Sequence, residues 1–251
     1  MGQSIAERVA ASEDLELAGI WKRGEDLDGI AREGDVLIDF SLPEANDAVI
    51  AAALEHRVPL VCGVSGLNET QMQALEKAAG SIPVVYDRNM SLGIAVLENL
   101  VREAVRTLGA EFEVRIHETH HVHKVDAPSG TALKLGEAIA AVRGTDPGSI
   151  HYESERRGEV PGDHEVLLSS PTERLTLAHS VTTRQVFADG ALHAARWIVG
   201  KSPGLFTMHD VLEESTPDRN AVSEQHERKA GSFRFCTSEN VNSNKMIKDR
   251  C

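Results

Sequence analysis

Asp35-Val-Leu-Ile-Asp-Phe-Ser-Leu-Pro-Glu44 decides the fold. Val36, Leu37 and Ile38 are consecutive apolar residues, and a strand without polar alternation is one covered on both faces. Ser41 then reads as a helix cap and Pro43 as a first helical position. Ala48, Ile50, Ala51 and Leu54 carry that helix to about His56. A strand handed directly to a helix is the start of a βα unit. The neighbouring sequence repeats the device. Leu15–Trp21 reads as a strand before it, preceded by a helix over 3–11. After it come a strand at 59–62, the turn Gly63-Val-Ser-Gly66, a helix over Glu69–Ala79 and a strand at Pro83–Tyr86. Buried strands alternating with helices imply a parallel sheet with helices on both faces.

The pattern changes after Asn89. A long helix is expected over 91–108, then a half-buried strand over 111–118, with Phe112, Val114 and Ile116 on one side. A polar loop leads into a helix over 131–142. Strand-like stretches recur at 150–155, 164–169 and Arg174–Ser180, and a helix follows over 188–199. Residues 92–201 therefore read as a second, α+β domain on a mostly antiparallel sheet. Lys201-Ser-Pro-Gly204 is a hinge-like turn, and 206–212 is a last apolar piece. From Ser215 periodicity vanishes, and 215–251 reads as a disordered or foreign tail.

Composition narrows the function. The 251-residue chain is 41% hydrophobic, ordinary for a globular protein. No apolar run approaches the roughly 20 residues that span a bilayer, and there is no basic-then-apolar leader, so no membrane partner is expected. Three cysteines form no disulfide framework, which fits a reducing cytoplasm. The net charge is −13. Seven Lys/Arg and five Asp/Glu fall in 215–251, leaving −15 on the body. That balance argues against nucleic-acid binding, which needs clustered Lys/Arg.

Against this acidic background stands His117-Glu-Thr-His-His-Val-His-Lys-Val-Asp-Ala-Pro-Ser-Gly-Thr131. Imidazoles and an ammonium donate protons or hold carboxylates. The helix opening near Ser129 adds free backbone N–H groups and a positive dipole end. Packing alone does not produce so polar a string. Clustered histidines also admit a metal site, but zinc ligands are usually completed by a distant Cys or Asp/Glu, and no such partner is evident, so no metal is expected. Ser65 and Thr131 lack the Gly-x-Ser-x-Gly setting of a nucleophile. Cys62 ends an apolar strand and reads as core.

The string Glu118-Thr-His-His-Val-His-Lys-Val-Asp-Ala-Pro-Ser-Gly-Thr-Ala-Leu133 resembles the signature of the 4-hydroxy-tetrahydrodipicolinate reductase (dihydrodipicolinate reductase) family. Six further segments match in order: Asp39-Phe-Ser-Leu-Pro-Glu44, Gly63-Val-Ser-Gly66, Asn89-Met-Ser-Leu-Gly93, Arg157-Gly-Glu-Val-Pro-Gly-Asp-His164, Phe187-Ala-Asp-Gly-Ala-Leu192 and Pro203-Gly-Leu-Phe-Thr-Met208. The resemblance implies an α/β fold: a Rossmann-like cofactor domain over 1–91, completed by 202–214, and an α+β substrate and oligomerisation domain over 92–201. It implies reduction of a cyclic imine dicarboxylate to tetrahydrodipicolinate in lysine biosynthesis, with NADPH or NADH, by a homotetramer. His120 is then the proton donor or acceptor and Lys124 a second donor. His121, Ser129, Gly130 and Thr131 would hold the substrate. Gly63, Val64, Ser65, Arg88, Asn89 and Met90 would take the nicotinamide side of the cofactor, and Gly2 the pyrophosphate. Lys22 stands where an acid would bind the adenine ribose; with Arg23 it suits a 2′-phosphate, which favours NADPH.

The chain departs from the family at its start. The first strand and its glycine-rich loop are absent; Met1-Gly2 matches only the loop's last two residues. A fragment or misassigned start, a paralogue that binds cofactor poorly, and a strand lent by a neighbouring chain would each account for this. The sheet is expected to lack a central strand and to expose its neighbours' edges. The competing function is a cofactor-deficient relic, a non-enzymatic dicarboxylate-binding or scaffold protein. A reductase of another cyclic imine is a weaker alternative.

Overall fold

The computed structural model describes residues 1–215 and 233–238. The elements run α1 (Gly2–Ala10), β1 (Leu15–Trp21), α2 (Leu27–Glu33), β2 (Val36–Asp39), α3 (Pro43–His56), β3 (Leu60–Cys62), α4 (Glu69–Ala79), β4 (Pro83–Tyr86) and α5 (Leu92–Leu108). They continue with β5 (Glu113–His120), α6 (Gly130–Arg143), β6 (His151–Arg156), β7 (Asp163–Ser169), β8 (Arg174–Ser180), α7 (Gln185–Ile198), β9 (Gly204–Phe206), α8 (Met208–Ser215) and β10 (Phe233–Ser238). Two sheets result: a six-stranded one ordered β1-β10-β2-β3-β4-β9, and a four-stranded one ordered β6-β5-β7-β8.

Every pairing in the first sheet is parallel. Its strands are short and apolar because both faces are covered. On one face Val36, Ile38, Val61 and Val85 meet Ile5 and Val9 of α1 and the alanine stripe of α7. On the other, Leu37, Leu60 and Val84 meet Val49 and Ala53 of α3 and Leu75 and Ala78 of α4. The cap before α3 is Leu42, without a side-chain bond, so Ser41 is not the cap its position suggests. Its backbone N–H instead donates to buried Asp39.

β10 corrects the expectation of a structureless tail and of an open sheet. Phe233–Ser238 lies between β1 and β2, paired in parallel with both. Asp35 N–H donates to the Arg234 carbonyl at 2.8 Å, and Arg234 N–H to the Asp35 carboxylate at 2.8 Å. The physical reason is that two facing strand edges present unpaired N–H and C=O groups to any extended segment that reaches them. Aromatic and β-branched residue types suit that role. The isolated hexapeptide is too short for periodicity to reveal it. The rest of the tail after Ser215 lies outside the described residues.

A second difference concerns α7. The sequence assigned it to the second domain, yet Ala188, Ala191, Leu192, Ala195 and Ile198 are packed in the core of the first sheet. A Cβ at Gly190 would overlap the Met90 carbonyl, so helix and strand-end loop touch backbone to backbone. The return of the chain to the first sheet thus starts at α7, before β9 pairs with β4. A stripe of small residues is what a close helix–sheet contact requires, but periodicity does not say which sheet.

The four-stranded sheet pairs β5 with β7 and β7 with β8 antiparallel, and β5 with β6 parallel. One face packs Ile116, Val166 and Leu168 against Ile94, Val101 and Val105 of α5 and Leu135 and Ile139 of α6. Among the described residues no helix is long and apolar enough to cross a membrane.

Candidate functional site

A cavity of about 710 Å³ lies between the two sheets. One wall is the end of the parallel sheet: Phe40 and Ser41 after β2, Gly63 and Ser65 after β3, Arg88, Asn89 and Met90 after β4. This is the strand end where open α/β sheets bind ligands. Glycine at 63 leaves room for the Phe40 ring, which an added Cβ would displace. The opposite wall is the motif loop and the start of α6: His120, His121, Lys124, Ser129, Gly130 and Thr131.

These walls are tied together. Asn89 Nδ2 donates to Thr131 Oγ1 at 2.9 Å. Lys134 of α6 reaches the buried carboxylates of Asp87 at 2.6 Å and Glu98 at 3.1 Å. Arg88 pairs with Glu137. The helix that opens at the cavity is thereby fixed against the strand end that faces it.

Ser129 caps α6, its hydroxyl accepting the Ala132 N–H at 3.2 Å. The Gly130 and Thr131 amides sit in the first turn, where helical N–H groups have no partner within the helix. His164 Nε2 lies 3.1 Å from the Ser129 hydroxyl. The hydroxyl keeps both a proton and a second lone pair for His164, so either group can donate in this contact. Burial, then the neighbouring His120, push the His164 imidazole down to about 3.

That displacement has a measurable consequence. The unfolded His164 takes a proton near pH 6.5, whereas the folded one resists until about 3. Stability contributed by the neutral ring is therefore lost as pH falls through that window, by about 3 kcal/mol at about pH 4. His164→Gln is expected to make the denaturant midpoint less steep between about pH 7 and 4. An unchanged slope would remove His164 as the source.

His120 ends β5, and its Nδ1 contacts the wholly buried Glu118 carboxylate. Arg156 grips the same carboxylate, Nη1 donating to Oε2 at 3.1 Å and Nη2 lying 3.0 Å from Oε1. Arg156 also donates to the carbonyls of Lys124 and Asp126, at 3.3 and 2.5 Å, which pins the motif loop beside the strand. Burial depresses the His120 pKa, with Lys124 and Arg156 acting the same way and Glu118 opposing them. Burial works to raise Glu118, but its hydrogen bonds, first that from Arg156, outweigh it and hold the carboxyl low. Lys124 Nζ pairs with Asp126 at 2.8 Å.

The sequence candidates divide by position. His120, His121, Lys124, Ser129, Gly130, Thr131, Gly63, Ser65, Arg88, Asn89 and Met90 share the cavity. Val64 is buried behind it. Met1 rather than Gly2 lines the wall at the start of α1. Lys22 and Arg23 follow β1 and are exposed, away from the lining residues. His117 and His123 face Glu155 and Glu159 on the surface, and among the described residues no three metal-ligating side chains converge. Glu118, Arg156, His164, Arg184 and Phe187 were not singled out as site residues from the sequence. The last three also line the cavity. Strand alternation places Glu118 on the face of His120, the one signal that was available.

The model for "Dihydrodipicolinate reductase, N-terminus" matches residues 1–90, and that for "Dihydrodipicolinate reductase, C-terminus" matches 93–212. The 4-hydroxy-tetrahydrodipicolinate reductase of Halorhodospira halophila is 42% identical over 206 residues, 75% of this chain and 77% of that protein. The Zymomonas mobilis enzyme of the same name is 42% identical over 236 residues, covering 84% and 92%. Among solved structures, dipicolinate-bound dihydrodipicolinate reductase from Paenisporosarcina sp. TG-14 superposes with a TM-score of 0.68 at 22% identity, over 82% of this chain and 92% of that one.

Proposed function

This chain belongs to the dihydrodipicolinate reductase family, and from that premise we propose that its cleft reduces 4-hydroxy-tetrahydrodipicolinate to tetrahydrodipicolinate in lysine biosynthesis, using NADPH or NADH. One observation carries the site assignment: His120 and Lys124 share a single cavity with the α6 N-terminus and with the strand ends of a parallel sheet. A doubly negative ring needs such a place in so acidic a protein.

A nicotinamide held here would supply the hydride. The residues present fit it: Gly63, Ser65 and Arg88–Met90 line the strand-end wall, with Val64 behind them. The first-turn amides of α1 at Gly2 suit the pyrophosphate. On the opposite wall, Gly130 and Thr131 amides and the Ser129 region receive one substrate carboxylate, with His121 beside them. Lys124 supplies charge to the ring and can donate a proton. Hydride addition to a conjugated imine leaves electron density that must be protonated, and His120 supplies that proton. Because neutral His120 holds its proton on Nδ1, toward Glu118, the donating form is the imidazolium. Its pKa, depressed chiefly by burial, means that the rate falls as pH rises through a window below the ordinary imidazole value.

The cofactor-binding part comprises 1–91 and the returning α7, β9 and α8, with β10 between β1 and β2; the four-stranded sheet with α5 and α6 is the substrate part. A homotetramer built on the second part, in the cytoplasm, is the assembly and location this reading adopts.

Calorimetry with NADPH and with pyridine-2,6-dicarboxylate tests the proposal. Both are expected to bind. Dicarboxylate binding without NADPH binding would instead identify the non-enzymatic relic. Lys22→Ala and Arg23→Ala are each expected to weaken NADPH about tenfold while sparing NADH, the effect of losing a charge-assisted bond to the 2′-phosphate. Equal losses for both cofactors would place the pair away from that phosphate.

A further inference from the structure

We propose that Glu118 is a positioning residue for the proton transfer: it fixes the His120 tautomer so that Nε2 faces the cavity, and it stabilises the imidazolium once formed. The inference rests on the proposed reductase reading and adds to it a residue and a charge state.

Glu118 and His120 are two apart on β5, so their side chains stand on one face of the strand. Glu118 is fully buried, and a carboxylate there persists only when paired. Its partners are Arg156 and Ser154 of β6 and the His120 Nδ1. An ionised carboxylate can only accept, so the ring proton must sit on Nδ1. Nε2 is then the bare nitrogen. It points toward Gly162, where an added Cβ would come within 3.0 Å, at the cavity wall that both residues line.

The other groups facing His120 make a lone imidazolium unfavourable. Lys124 of the motif loop and Arg156 of β6 are cationic, and both disfavour its protonation. The His164 ring of β7 meets His120 edge-on at 5.1 Å and is itself neutral. Among the described residues Glu118 is the anion that opposes them, and Arg156 limits its effect by holding half the carboxylate. The arrangement follows the logic of an acid–imidazole pair in which the carboxylate orients the ring without taking its proton. The outer partner of a metal-bound imidazole commonly affects function by about 10–100-fold, and an effect of that order is expected for this one.

Glu118→Gln tests this. The amide keeps the shape and an acceptor but loses the charge. Turnover is expected to fall about 10–100-fold, and the midpoint at which activity declines with rising pH should move to lower pH, because the imidazolium has lost its counter-charge. The KM for NADPH should hold, and Glu118→Asp should restore part of the rate and of the midpoint. A fall in turnover that tracks thermal stability with an unmoved pH midpoint would overturn the proposal, as would an unchanged enzyme. Should the variant fail to fold, ¹⁵N-histidine NMR of the unmodified chain decides, with His120→Gln for assignment. Nδ1-protonated, Nε2-bare His120 is expected; the opposite tautomer overturns the proposal. That readout needs no turnover, so it remains valid even if the reductase reading itself fails.

Discussion

A chain ended after Ser215 is expected to lose NADPH binding and to melt about 10–20 °C lower than the full chain. The loss follows from the position of Phe233–Ser238, paired on both sides within the parallel sheet. Without it, β1 and β2 face an unfilled slot. Each backbone group left buried there without a partner costs about 1–3 kcal/mol, so a handful of them approaches the roughly 5–15 kcal/mol that stabilises a whole domain. A deficit of about 5 kcal/mol corresponds to the stated shift in a domain of this size. The cofactor suffers because α1 packs on the same strands, and its first-turn amides then lose their fixed direction. Circular dichroism melts and fluorescence titration with NADPH measure both effects. Thr237→Pro in the full chain is the control, since it breaks the ladder at a residue paired with Ile20 and Ile38. A truncated chain that melts within about 2 °C of the full one would show that the strand adds nothing.

His120→Ala is expected to lower turnover by about 10²–10⁴-fold, the usual contribution of a positioned acid. Dicarboxylate affinity should change far less, because the α6 amides and Lys124 remain. The decline of activity with rising pH below the ordinary imidazole value should disappear as well, since the titrating imidazole is gone. Steady-state kinetics across pH read both outcomes, and an unchanged rate would take His120 out of the mechanism. Lys124→Ala should behave differently and damage turnover and substrate affinity together, as it contributes both charge and proton. Its pairing with Asp126 at 2.8 Å also predicts local loosening of the loop.

Much of this site was legible in the chain because it is local. His120, His121, Lys124, Ser129, Gly130 and Thr131 fall within twelve residues, and a helix opening after Ser129 follows from cap chemistry alone. The turn at Gly63 was legible for the same reason, as a glycine turn after an apolar strand. Glu118, Arg156 and His164 were not. Glu118 reads as one acid among many until its burial is known. Arg156 sits in a strand whose residues alternate without an apolar stripe. His164 belongs to a segment matched to the family, but its bond to Ser129 spans 35 positions. Lys22 and Arg23 illustrate the reverse: conspicuous in sequence, they lie apart from the cavity lining, and only a long cofactor would join the two places.

What the sequence determined by itself was the alternation of buried strands and helices, the change to half-buried strands after Asn89, and the polar string beside a helix start. Each is set by forces acting over a few residues: apolar period, cap preference, local charge. The tertiary structure alone decided that α7 belongs under the first sheet, that Glu118 shares its carboxylate between Arg156 and His120, and that a hexapeptide near the end of the chain lies between β1 and β2. Those outcomes depend on which distant surface or unpaired edge is left for a segment to cover, and local propensity carries no information about that.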